Sequence, residues 1–352
     1  MNTNRISAII LATALLLPLA SQAIAPGESI VLDPNTGDYM ITYMSDGRDE
    51  EPRLHQVRYV PPTKIDPAVK SSFEFNKDAT ITYGYKITNS SKSRQPIVAM
   101  RLDPVSAINA SRPLPTSIWE ISDPKFLMEI IIAGQDALSK PTGWRGATNP
   151  SHAGGHRISW SYKKRDTLSD GLQLGKSQGG FGFVSTDLPG IAIAEMTGNA
   201  PTPGFTGGSP DGEISDQLEK LQLNDFVPRN AAVPTILVPI PFDPALLVER
   251  IQTHTRTWVA KQLLDSAFST QLDRYFQAAA NAYRLNQPKS GNKQLQAMRE
   301  LLEKQYDDLE EESEGGDDDK KKVSSTPVID KLAARVLDFD LKYVIKRVGG
   351  DD

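Results

Sequence analysis

The sequence predicts a multidomain α+β protein, an N-terminal immunoglobulin-like antiparallel β-sandwich followed by a C-terminal four-helix bundle. Two observations carry that expectation. Of 25 prolines, 23 fall within residues 1–244 and only Pro288 and Pro327 come later. Proline breaks helix interiors but is accepted in turns and at strand edges. In the same first part apolar residues alternate with period two, whereas later they recur every three or four residues.

The first 23 residues read as a signal peptide. Arg5 supplies a positive start, Ala8 to Leu17 an apolar run too short for a bilayer, and Pro18 breaks the helix ahead of the cleavage region. Cleavage after Ala23 is preferred to cleavage after Ala25, because Pro26 would then occupy the first mature position. The expected product is exported, to the periplasm, the cell surface or the medium, with no integral membrane segment after cleavage.

Residues 28–200 carry the sandwich pattern. Ile81, Tyr83, Tyr85 and Ile87 share one face, and Thr80, Thr82, Lys86 and Thr88 the other. The alternation recurs at Tyr39/Ile41/Tyr43, Val98/Met100/Leu102, Ile158/Trp160/Tyr162 and Phe181/Phe183, with turn clusters such as Asn89-Ser-Ser91 and Gly154-Gly155 between runs. Residues 201–242 read as a Pro/Gly-rich connector. Within it Asp211 to Glu219 suits a helical turn, and Thr235 to Ile240 suits an edge strand added to the sandwich.

The helical part spans residues 243–348. Asp243-Pro244 places a capping carboxylate before a proline at the first helical position, where the missing N–H costs nothing. Leu247, Ile251, His254 and Trp258 then fall on one face. A second helix carries Phe268, Leu272, Tyr275, Phe276, Ala279 and Tyr283, and a third carries Leu295, Met298, Leu302, Tyr306 and Leu309. The last opens at Thr326-Pro327 and buries Ile329, Leu332, Val336, Leu337 and Val344. Residues 307–325 read as a disordered acidic loop inside this part. Each part is expected to hold its own core.

The 352 residues include four histidines and no cysteine, with 39 basic and 44 acidic side chains. The missing thiols exclude disulfides, thiolate metal sites and cysteine nucleophiles. A net charge of −5 argues against a phosphate-neutralising surface, so nucleic acid is not an expected partner. Residues 301–352 alone hold 15 acidic and nine basic side chains, so the negative balance is local.

Several motifs invite chemistry. Gly175-Lys176-Ser177-Gln178-Gly179 matches a nucleophile elbow as a string, but Gly180-Phe-Gly-Phe-Val184 after it is strand-like, where an elbow requires a helix. A turn between strands explains it better. His152 and His156 have a ligand spacing for a helix, yet Ala153-Gly154-Gly155 between them argues for a solvated loop. His254 shares a face with Ile251 and Trp258 and is expected to pack with a satisfied ring nitrogen, and His55 stands alone. So few histidines point any metal toward oxygen ligands, hence calcium. Asp307 to Asp319 holds nine acidic residues in thirteen, including Asp307, Asp308, Asp317, Asp318 and Asp319 as weak candidate calcium ligands. It lacks the order of an EF-hand loop. No other cofactor is expected. Trp144, between turn residues in Pro141-Thr-Gly-Trp144, is the candidate for an exposed or edge ring able to meet a ligand such as a glycan, whereas Trp119 and Trp160 suit packing and Trp160 is expected to be internal.

At Pro141-Thr-Gly-Trp144, Trp160, Leu174-Gly-Lys-Ser-Gln-Gly-Gly-Phe181, Ser185 and Leu188-Pro-Gly190 the first part resembles a sandwich found in exported bacterial proteins of unassigned function. The resemblance implies that Ser177 belongs to a turn. At Gln271 to Ala280, Leu295 to Leu302 and Val328 to Val344 the second part resembles the FIMAH-type modules that close bacterial secreted proteins. That resemblance implies an accessory role without catalytic residues, and the acidic insertion after Leu309 departs from its usual short link. The expected function is a non-catalytic exported binding or scaffolding protein with a protein or glycan partner. The alternatives are a serine hydrolase using Ser177 with His152 or His156, and a calcium-dependent interaction module.

Overall fold

The computed structural model describes residues 27–44, 53–115, 123–164, 167, 169–200, 212–222, 225–305 and 328–349. Residues 1–23, which the sequence predicts to be a signal peptide, Trp119, the acidic stretch with its five candidate ligands and Thr326-Pro327 lie outside them. Among the described residues the chain is α+β, with twelve strands in antiparallel sheets and six helices. None of the helices is long and apolar enough to cross a membrane.

By contacts the described chain divides into one compact unit within Met1–Pro61 and Pro201–Asp225 and another within Pro62–Ala200 and Phe226–Asp352. This division differs from the expected one near residue 243. In the first unit β1 (Ser29–Leu32), β2 (Tyr39–Met44) and β3 (Leu54–Tyr59) form a sheet in that order, and α2 (Gly212–Gln222) supplies Ile214 and Leu218 to a small core with Ile41, Tyr43 and Tyr59. The alternation at Tyr39/Ile41/Tyr43 thus makes a half-buried strand as expected, but in a separate sheet. Period two specifies a buried face and says nothing about which sheet supplies the cover.

In the second unit β4 (Pro67–Phe75), β5 (Ile81–Asn89), β10 (Lys176–Ser185) and β7 (Leu138–Ser139) form a four-stranded sheet in that order. A five-stranded sheet runs β12 (Val227–Ile236), β11 (Leu188–Gly198), β6 (Ile97–Val105), β9 (His156–Tyr162) and β8 (Trp144–Pro150). The two sheets meet through an aromatic layer. Trp160 faces Phe181 at 5.8 Å and Tyr85 at 6.0 Å between ring centroids, and Tyr85 donates its hydroxyl to the Ala232 carbonyl at 2.9 Å. Trp160 is fully buried, as expected, and its indole N–H donates to the Ser139 carbonyl at 3.0 Å. Each buried ring contributes about 4–6 kcal/mol as an upper bound, which helps a cysteine-free chain hold together. The edge strand of the connector lies at Val227–Ile236, mostly upstream of Thr235 to Ile240. An edge position tolerates its Pro228 and Pro234.

Helix α1 (Pro124–Asp136) interrupts the strands, a helix the sequence reading did not contain. Its signal was the same as that at residue 243: the Asp123 side chain accepts from the Lys125 N–H at 2.9 Å, and Pro124 opens the helix. After β12 come α3 (Pro244–Ala260), α4 (Ser266–Arg284), α5 (Pro288–Glu303) and α6 (Lys331–Arg347). Asp243 caps α3 as predicted, accepting from the Leu246 N–H at 3.0 Å. The cap of α6 is Asp330, which accepts from the Leu332 N–H at 2.9 Å, and not Thr326.

The four helices pack α3 on α4, α4 on α5, α5 on α6 and α6 on α3. Here the expectation of separate cores fails, because the helices and both large sheets share one continuous hydrophobic core. Helix α6 is buried almost all round, and Phe339 stacks on Phe75 of β4 with ring centroids 4.0 Å apart. Asp340 within it is fully buried, and among the described residues neither carboxylate oxygen has a hydrogen-bond partner. Burial pushes this carboxyl well above the usual carboxylate range.

Helix α3 also takes over part of the strand ladder. Strand β6 pairs with β11 from Gly198 to Ala194 and stops short of Ile191. There the Ile191 N–H donates to His254 Nε2 at 3.0 Å, and Lys261 Nζ donates to the Ile191 carbonyl at 2.9 Å. The predicted satisfied nitrogen of His254 is therefore present, with a strand backbone as its partner. Gly190 permits this approach, since a Cβ there would overlap both His254 Nε2 and Thr235 Oγ1. Burial, with Lys261 nearby, lowers the His254 pKa from 6.5 to about 4.

Candidate functional site

Strand β9 begins at His156 and alternates His156, Ile158 and Trp160 on the inward face, so the imidazole enters the molecule beside two fully buried side chains. Backbone pairing on both sides fixes its position: His156 stands opposite Val105 of β6 and Pro150 of β8. The turn before it holds the exposed His152. The expectation of a solvated loop with two histidines is therefore right for His152 and wrong for His156, which is 7% exposed. One further step back along the Ile158/Trp160/Tyr162 alternation was the signal that could have placed it.

His156 lines a partly open recess of about 90 Å³. Leu127, Ile130 and Ile131 of α1 form one wall, Thr148, Asn149 and Pro150 of β8 another, and Leu114 and Pro115 close a third side. Helix α1 can come this close to β8 because residue 134 is glycine, where a Cβ would overlap Thr148 Oγ1. Among the described residues the His156 imidazole makes no hydrogen bond. Desolvation lowers its pKa, so the ring is neutral near pH 7. A neutral imidazole offers one donor and one acceptor. The recess therefore combines a mostly apolar lining with the polar side chains of His156, Thr148 and Asn149.

The other sequence candidates do not gather here. Ser177 is the second residue of β10, opposite Thr88 of β5, and the two hydroxyls are hydrogen-bonded at 2.7 Å. It stands in a strand, just after the Gly175 turn, while His156 belongs to the other sheet. Trp144 does lie on an edge strand, but its ring turns inward and is only 2% exposed, packed edge-to-face on Phe181 at 4.9 Å. It has no open face for a sugar, because its place in the β8 alternation directs it to the aromatic layer. His55 stacks on Tyr43 at 5.4 Å in the smaller unit. Among the described residues no group of three or more His, Asp or Glu side chains could hold a metal ion.

No protein-family description matches the chain, and no curated protein matches it. A solved structure of an uncharacterized Nocardia farcinica protein with an immunoglobulin-like fold is similar at 13% identity. It covers 47% of this chain and 98% of its own, with a TM-score of 0.24.

Proposed function

We propose that the chain is an exported, non-catalytic binding or scaffolding protein of a bacterial envelope or extracellular space, with an immunoglobulin-like sandwich and a four-helix bundle as its framework. The observation that carries the binding reading is the recess beside His156, where a mostly apolar lining surrounds an imidazole with no side-chain hydrogen bond among the described residues. A neutral imidazole at the wall of such a recess offers a donor and an acceptor to a partner from outside. The two facing sheets support the sandwich, and the cyclic packing of α3 to α6 supports the bundle. Export rests on the pattern of residues 1–23. A nucleophilic serine needs a base within about 2.6–3.2 Å, whereas the Ser177 hydroxyl is engaged by Thr88.

A serine-directed fluorophosphonate probe tests this directly. Wild type and Ser177→Ala should both remain unlabelled; labelling of wild type alone would overturn the non-catalytic reading. Terminal sequencing of protein recovered from the envelope or medium should begin at Ile24, and retention of residues 1–23 on a soluble internal product would overturn export.

A further inference from the structure

Two independent features converge on the recess. It is a cavity of about 90 Å³, and it is lined by the imidazole of His156, a residue only 7% exposed whose ring makes no hydrogen bond among the described residues. An occupant that covers the ring displaces its hydration, so one that hydrogen-bonds the imidazole in its place gains over one that cannot. Among the described residues no Lys, Arg, Asp or Glu lines the walls, which disfavours a charged occupant because a desolvated charge needs a counterpart. Size narrows the occupant further. A cavity of roughly 150 Å³ holds benzene; this recess is smaller but partly open, so one ring or short branched chain fits with its far edge at the mouth.

We propose that this recess binds an uncharged, hydroxyl-bearing small molecule with an apolar body the size of a single ring, the hydroxyl on His156 and the body against Leu127, Ile130 and Ile131. A hydroxyl suits a neutral imidazole because one atom can donate to the bare nitrogen or accept from the protonated one. Helix α1 and strand β8 form the walls and Gly134 sets their spacing. The assignment rests on the reading of the chain as a binding protein and gives that reading a ligand chemistry.

Phenol is the probe, with toluene as the isosteric control lacking the hydroxyl. Nitrogen-detected NMR of the full mature chain labelled at histidine reports each ring separately. Phenol should move the His156 ring signals saturably at millimolar concentration while His152 and His254 stay still. Toluene should bind at least about tenfold more weakly, the equivalent of one lost hydrogen bond. Ile131→Phe, which fills the recess from α1 and leaves residue 156 a histidine, should abolish the phenol response and keep a resolved His156 signal. His156→Phe should abolish binding as well. A response equal for phenol and toluene, one shared by all histidines, or one that survives both variants would overturn the proposal. If phenol fails while the fluorophosphonate probe leaves Ser177 unlabelled, only this ligand class falls; labelling of Ser177 would remove the underlying reading.

Discussion

Acidification should weaken the attachment of α3 to β11 through His254. The folded chain holds this imidazole neutral, since Nε2 must keep its lone pair to accept the Ile191 N–H. Its pKa there is about 4 against an ordinary 6.5. Between those values the unfolded chain carries one more proton than the folded chain, so stability falls as pH falls. The contribution is complete above pH 6.5, declines through the window and is lost below about 4. At 1.36 kcal/mol per unit the whole displacement is worth about 3 kcal/mol, and the part expressed between pH 7.5 and 5.0 about 2 kcal/mol. Urea unfolding at those two pH values, for wild type and His254→Gln, measures it. Glutamine retains an acceptor for Ile191 but does not titrate. Groups common to both proteins, His156 among them, cancel in the comparison. Wild type should lose about 2 kcal/mol more than the variant on acidification; losses equal within about 0.5 kcal/mol would refute the reasoning.

Gly190→Ala should force His254 or Thr235 away from β11 and cost on the order of 1–3 kcal/mol, read as a lowered midpoint in urea; an unchanged midpoint would mean that α3 does not depend on that approach. Asp340 has the opposite pH sign, because a raised carboxyl pKa makes the folded state lose stability as pH rises above the unfolded value of 3.8. Asp340→Asn should remove that decline and gain on the order of 1–3 kcal/mol at pH 7, and a variant with the wild-type slope in pH-dependent melting would show that the carboxyl is not buried protonated. Deleting Glu310 to Lys322 with a flexible join should leave helical circular dichroism intact, a large loss counting against the reading of that stretch as a solvated link. Millimolar calcium should leave the melting temperature of the full chain unchanged, and a saturable rise would instead establish the acidic stretch as a cation site.

Local chemistry was legible wherever a few neighbouring residues decide the outcome. Asp243-Pro244 identifies the start of α3 because the cap bond and the missing proline N–H are both settled within one turn. Ile81, Tyr83, Tyr85 and Ile87 identify a strand and its buried face for the same reason. The candidate site was less legible. His156 belonged to a visible alternation, but the glycines before it suggested a loop, and its cavity requires α1, which lies some twenty-five residues earlier in the chain. Trp144 shows the converse: its turn-rich neighbours suggested exposure, while its strand position sent the ring into the core.

By itself the sequence determined the α+β character, the cap of α3, most strand faces and the absence of thiol chemistry, since these depend on residue type and on spacing along the backbone. The tertiary structure alone decided that β2 joins a separate sheet, that helices and both large sheets share one core, that His254 completes a strand edge and that His156 faces a recess. The physical reason is that alternation and helical periodicity specify which face must be covered. What covers it depends on chain segments far apart in sequence, whose contacts leave no periodic mark on either partner.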